Sequence, residues 1–193
     1  MEINFLGHRL KIQRPIVFIK STNELSLFLP MIPKIEDIIL PPGYKIKSYD
    51  PSDDSNILIL LKNGEFEFTE KLLKEALKLC VPEGVHLIIH EQSNQIVSMM
   101  MARHISSDEF GFGGRIDWLT TALEHRGLGL GEIAAKLATK HLISLGYKNI
   151  WVTTQLFRMK ALKIFLKIGF RPKRESLKEN DWNLIQKLIS FLN

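Results

Sequence analysis

Residues 124–136 read EHRGLGLGEIAAK, with Gly127, Gly129 and Gly131 alternating with single residues immediately before an apolar helical pattern. Each glycine costs conformational entropy at a helix entrance, so three in five positions mark a place where bare backbone is needed. The first turn of a helix carries unpaired N–H groups and a partial positive charge, and this combination attracts anions. Arg126-x-x-Gly129-x-Gly131 therefore reads as a phosphate cradle, and its rival is a glycine turn that holds nothing. A P-loop is excluded, because Gly131 is followed by Glu132-Ile133 rather than Lys-Ser/Thr. The letters Gly129-x-Gly131-x-x-Ala134 satisfy a dinucleotide fingerprint and keep an NAD-binding alternative open. The next strand, however, ends Thr153-Thr154-Gln155 without the carboxylate that should hold a ribose.

The rest of the chain sets the frame for this loop. At 193 residues with 45% apolar side chains, it is long enough for one well-filled domain with a small appendage. The breakers Pro41-Pro42-Gly43 suggest a boundary, with residues 1–42 as a lead-in and 43–193 as the functional domain. Within the lead-in, Arg14–Lys20 reads as a strand. One cysteine, Cys80, forms no intrachain disulfide. Together with the lack of a long apolar run, this points to a soluble, cytoplasmic protein without a membrane span.

The net charge of +5 and the pI near 9.3 suit an anionic ligand. The lysines do not interleave with aromatics as a nucleic-acid surface would, so no nucleic-acid partner is expected. His86, His90 and His104 have no ligand-like spacing, and no metal is expected.

Periodicity supplies the elements. Tyr44–Tyr49 alternates as a strand. Asp50-Pro51-Ser52-Asp53-Asp54 opens a helix ending at Asn63-Gly64. A second helix from Thr69 carries Leu72, Leu73, Ala76, Leu77 and Cys80 on one face. Val85–His90 and Ile96–Arg103 form a hairpin, Ser107–Gly114 is a connection, and Ile116–Thr121 is a further strand. A helix from Gly131 to Leu145, a strand Asn149–Thr154 and a helix ending at Gly169 follow. The Trp182–Leu192 segment packs either on its own core or on a second subunit, as a homodimer. The fold class is α+β: a mixed, mostly antiparallel sheet with flanking helices.

Leu119-x-Thr121-x-x-x-His125-Arg126-Gly127-Leu128-Gly129-Leu130-Gly131, then a helix, a strand and Ala161-x-x-x-Phe165-x-x-x-Gly169-Phe170, resembles the GNAT superfamily of acyl-CoA-dependent N-acyltransferases. The resemblance implies a sheet that splays between the strands 116–121 and 149–154 and holds acetyl-CoA in the gap, with a primary amine as acceptor. Its pyrophosphate would rest on the amides of Gly127, Leu128, Gly129, Leu130, Gly131 and Glu132, beside Arg126. Its pantetheine arm would pair with backbone at Leu119 and Thr121 and lie against Phe165.

Asp117 lies two residues before Leu119 on the same strand face and is the candidate base. Its rivals are Glu124, His125 and the bland reading of an ion-paired strand carboxylate. Two positions depart from the family pattern. Phe165 stands where a proton-donating tyrosine is usual. Arg158 stands where an asparagine is usual, either meeting a CoA phosphate or simply solvated. These departures motivate a second reading, a non-catalytic acyl-CoA-binding module on the same fold.

Overall fold

The computed structural model describes residues 2–5, 8–11, 24–107, 111–174 and 177–192. The strand expected at Arg14–Lys20 lies outside these residues. A short hairpin comes first, β1 (Glu2–Phe5) with β2 (His8–Lys11). The main sheet then assembles from β3 (Glu24–Phe28), β4 (Tyr44–Ser48), β5 (Cys80–His90), β6 (Gln95–Ser107), β7 (Gly111–Thr121), β8 (Ile150–Gln155) and β9 (Arg171–Pro172). Its order is β4-β5-β6-β7-β8-β3-β9. Every neighbouring pair is antiparallel except β7 with β8. A single parallel pair does not make the doubly wound parallel sheet that a dinucleotide fingerprint requires.

Two apolar layers clothe the sheet. Helices α1 (Asp54–Asn63) and α2 (Glu70–Leu77) cover one face, burying Ile57, Leu61 and Leu73 against Leu87, Met99 and Met101. Local chemistry starts both. Asp50 accepts from the Ser52 amide at 2.9 Å ahead of α1, and Thr69 Oγ1 accepts from the Leu72 amide at 3.3 Å ahead of α2.

Helices α3 (Leu130–Ser144) and α4 (Met159–Ile168) fill the other face, with α5 (Glu179–Leu192) packed on α4. The small residues Ala134, Ala135 and Ala138 let α3 lie close to the strands. Gly169 takes φ +116° and closes α4 in the left-handed conformation that only glycine adopts readily. Ile185 of α5 is fully buried in this same core, so the C-terminal segment packs on its own chain. Among the described residues no helix is long and apolar enough to cross a membrane.

Strand β3, from the lead-in expected at residues 1–42, lies between β8 and β9 and buries Leu25 and Leu27 in the α3/α4 core. Two sequence expectations need correction. Cys80 begins β5 rather than ending α2, and its backbone opposes Arg103. Its thiol is held up to about 12 by burial, against the nearby Arg103 charge. The stretch 111–114 is strand, not connection. A Cβ on Gly113 would meet Asn149 O at 2.4 Å, and one on Gly114 would meet Leu142 Cδ1 at 2.9 Å. Those glycines let β8 and α3 press against the strand.

Candidate functional site

β7 and β8 run side by side only from Gly114 to Ile116, opposite Ile150 to Val152. Beyond that point β7 continues to Thr121 without β8 as a partner. A β-bulge accounts for the parting. Between the pairs Met101↔Asp117 and Met99↔Thr120, the lone Met100 of β6 faces two residues of β7, Trp118 and Leu119. Trp118 takes φ +59°, a costly setting for a bulky side chain. A bulge bends its strand and raises the local twist, which turns the end of β7 away from β8.

The glycine loop lies at the end of this splayed strand. Gly127 has φ +85° and Gly129 φ +79°, so both adopt a backbone that side chains resist. A Cβ on either would touch nothing within 4 Å. The demand there comes from backbone conformation and access, not from protein packing. Gly129 is the N-cap of α3, and its carbonyl accepts the Ile133 amide at 3.0 Å. Among the described residues, no hydrogen bond engages the backbone N–H groups of residues 127–132. A Cβ on Gly131 would sit 3.3 Å from Thr121 Oγ1, 3.5 Å from Ile164 Cδ1 and 3.8 Å from Leu119 Cδ1. Leu119, Thr121 and the α3 entrance are thus brought together, with α4 as the opposite wall.

Charge at the cradle is managed locally. Glu132 lies in the first turn, and its carboxylate is tied to Lys136 and Lys167 at 2.8 Å each. Partial burial raises its pKa, but the two ammonium groups outweigh this and hold it below the usual carboxylate range. The entrance therefore presents amides and lysines, which suits a diphosphate. Leu128 is exposed, whereas Leu130 is buried beneath the loop.

Four of the sequence-derived site residues have other occupations. Arg126 already has partners within the protein. Its Nε donates to Thr121 O at 3.0 Å and its Nη2 to Asn63 O at 3.4 Å, binding the loop to β7 and to the end of α1. Arg158 donates from Nε to Gln155 Oε1 at 2.8 Å and from Nη1 to Gly64 O at 3.2 Å, and lies over the Phe66 ring. It is not free in solvent; with Arg126 it fastens residues 63–66 to both loops flanking the splay. Phe165 is buried in the core with its ring 6.1 Å from Phe170, so it offers little surface to a ligand.

Asp117 is the fourth. Its Oδ2 accepts from Arg103 Nη1 at 2.8 Å and its Oδ1 from Arg115 Nε at 2.7 Å. Both carboxylate oxygens are thus already occupied by guanidinium donors of the protein. Of its rivals, His125 is hydrogen-bonded through Nδ1 to the Tyr44 hydroxyl at 2.7 Å, with its ring beside His90. Sequence reasoning missed Arg103, Arg115 and the Trp118 bulge. The signal was present as charged residues at alternate positions in strands that are otherwise apolar.

The chain is similar to known proteins at two levels. A family model described as the Acetyltransferase (GNAT) family matches residues 55–170, more than half of the chain. Among solved structures, a GCN5-related N-acetyltransferase from Sphaerobacter thermophilus aligns with TM-score 0.63 and 14% identity, covering 78% of this chain and 48% of that one. The glucosamine-6-phosphate N-acetyltransferase from Arabidopsis thaliana aligns with TM-score 0.54 and 17% identity, over 70% and 97% of the two chains. A chain of the NatC complex bound to Gag peptide and CoA aligns with TM-score 0.59 and 14% identity, over 68% and 87%. The chain spans less than two thirds of the length of several of its structural neighbours. No curated protein matches its sequence. The match over residues 55–170, more than half of the sequence, leads to one conclusion: the chain belongs to the GNAT acetyltransferase family.

Proposed function

We propose that the protein transfers an acetyl group from acetyl-CoA to a primary amine. The observation that carries this reading is the row of unengaged amides at residues 127–132, set beside the point where β7 leaves β8. The amides of Gly127 to Glu132 would take the diphosphate, and the edge of β7 that β8 leaves uncovered, at Leu119 and Thr121, would take the pantetheine arm. Acetyl-CoA supplies the thioester. The amine nitrogen forms a bond to the carbonyl carbon as the carbon–sulfur bond breaks, and the amine proton leaves to water. A thiol is a tolerable leaving group without a dedicated acid, so Phe165 does not prevent turnover. Asp117 serves as a positioning residue for the arginines beside it.

The second reading, an acyl-CoA-binding module without turnover, is favoured by the engaged state of Asp117 and the burial of Phe165. Calorimetric titration with CoA and with NAD, followed by thiol release from acetyl-CoA over a panel of amines, separates the readings. Binding of CoA with amine-dependent thiol release supports acetyl transfer. Binding without such release supports the module, and binding of NAD alone removes both.

A further inference from the structure

On the sheet face covered by α1 and α2, two arginines share one carboxylate. Arg103 and Arg115 are direct cross-strand partners on β6 and β7, and Asp117 follows Arg115 by two residues on the same face. Arg103 and Asp117 are deeply buried, with side chains 2% and 5% exposed, while Arg115 is 27% exposed. Two positive charges against one negative leave a net charge of +1 in a largely dry setting, which is costly unless an anion joins them.

The donors show where the anion fits. Asp117 fixes Arg115 through Nε alone, and no protein group among the described residues takes Arg115 Nη1 or Nη2. The Nε atom of Arg103 is buried without a partner among the described residues, and its guanidinium lies 4.3 Å from the Trp118 ring centroid. Arg103 therefore orients Asp117, Asp117 orients Arg115, and Arg115 presents a pinned fork of N–H groups. Such a fork matches the two oxygens of a carboxylate.

The position is also apt. Arg115 belongs to the last stretch of β7 still paired with β8, and Asp117 is the first residue past it. At about 3.3 Å per residue, Arg115 lies roughly 10 Å along the strand from Trp118, where the bulge opens the sheet. We infer that the acceptor amine carries a carboxylate, and that this carboxylate docks on the free edge of Arg115 and sets the amine at the splay. This inference rests on the acyl-transfer reading above.

The test uses the whole chain saturated with CoA. It is titrated calorimetrically with β-alanine, 4-aminobutanoate and glycylglycine, each beside its neutral carboxamide, and the same pairs are assayed for thiol release from acetyl-CoA. At least one acid is expected to bind tenfold or more tightly than its amide and to show the lower KM. Arg115→Gln should erase that difference while CoA affinity holds, and Arg115→Lys should restore part of it. If the chain binds CoA normally but binds acids and amides equally, the inference fails while the acyl-transfer reading stands. An Arg115→Gln variant that weakens acid and amide alike reveals only a structural arginine and overturns the inference too. Failure to bind CoA overturns both proposals. Should Arg115→Gln not fold, the acid–amide comparison on the unaltered chain decides.

Discussion

Asp117 and Arg103 are joined at 2.8 Å across the β6–β7 hairpin with both side chains nearly sealed from solvent. Removing one member of such a pair strands the other charge in the interior. Asp117→Asn should therefore destabilise the fold by about 3–5 kcal/mol. A catalytic base would give a different pattern, a large fall in kcat with stability kept. Denaturant unfolding of the variant beside its thiol-release rate separates the two, and unchanged stability would restore Asp117 as a candidate base.

The glycine loop yields a paired prediction at Gly129. Alanine there faces open space but must accept φ +79°, so Gly129→Ala should cost about 1 kcal/mol and weaken CoA binding moderately. Gly129→Asp adds a negative charge beside the amides and should abolish CoA binding. Calorimetry on both variants checks the order; equal, near-native affinity in both would place the diphosphate elsewhere.

Strand β3 gives a test of domain limits. Leu27 is completely buried between β8 and β9, and Leu27→Ala should cost about 2–5 kcal/mol. A chain begun at residue 43 should fail to unfold cooperatively by circular dichroism on heating. A sharp transition in that truncated chain would show that residues 1–42 are dispensable.

His86 sets a pH dependence. Burial, reinforced by the neighbouring His141, lowers its pKa from 6.5 to about 4, and its Nε2 has no partner among the described residues. The folded state thus prefers the neutral ring, whereas the unfolded chain protonates near pH 6.5. Stability contributed by the neutral ring is complete above pH 6.5 and is lost as pH falls from there towards 4, by on the order of 2 kcal/mol. Urea midpoints between pH 7 and 4.5 should fall more steeply for the native chain than for His86→Leu. Parallel curves would assign the slope to other groups.

What was readable in the sequence follows from how local each signal is. The glycine loop, α3, β8 and α4 were legible because caps, periodicity and glycine stops lie within each segment, as with Gly169 closing α4. Strand β3 was not, since Glu24–Phe28 is five residues whose partners, β8 and β9, lie at the other end of the chain. Gly113 and Gly114 looked like a loop because their reason is the close approach of Asn149 and Leu142, which only the folded sheet reveals. The site was half legible for the same reason. The cradle is a local motif, whereas the partners of Asp117, Arg126 and Arg158 are set by tertiary contact.

The placement of β3 also bears on biosynthesis. This segment is translated early, yet the two slots that receive it are among the last parts of the sheet to be made. During synthesis its apolar edge must wait unpaired, exposed to chaperones or to neighbouring nascent chains, until the ribosome has delivered Arg171 and Pro172. The final seam of the sheet thus closes only once β9 has been made.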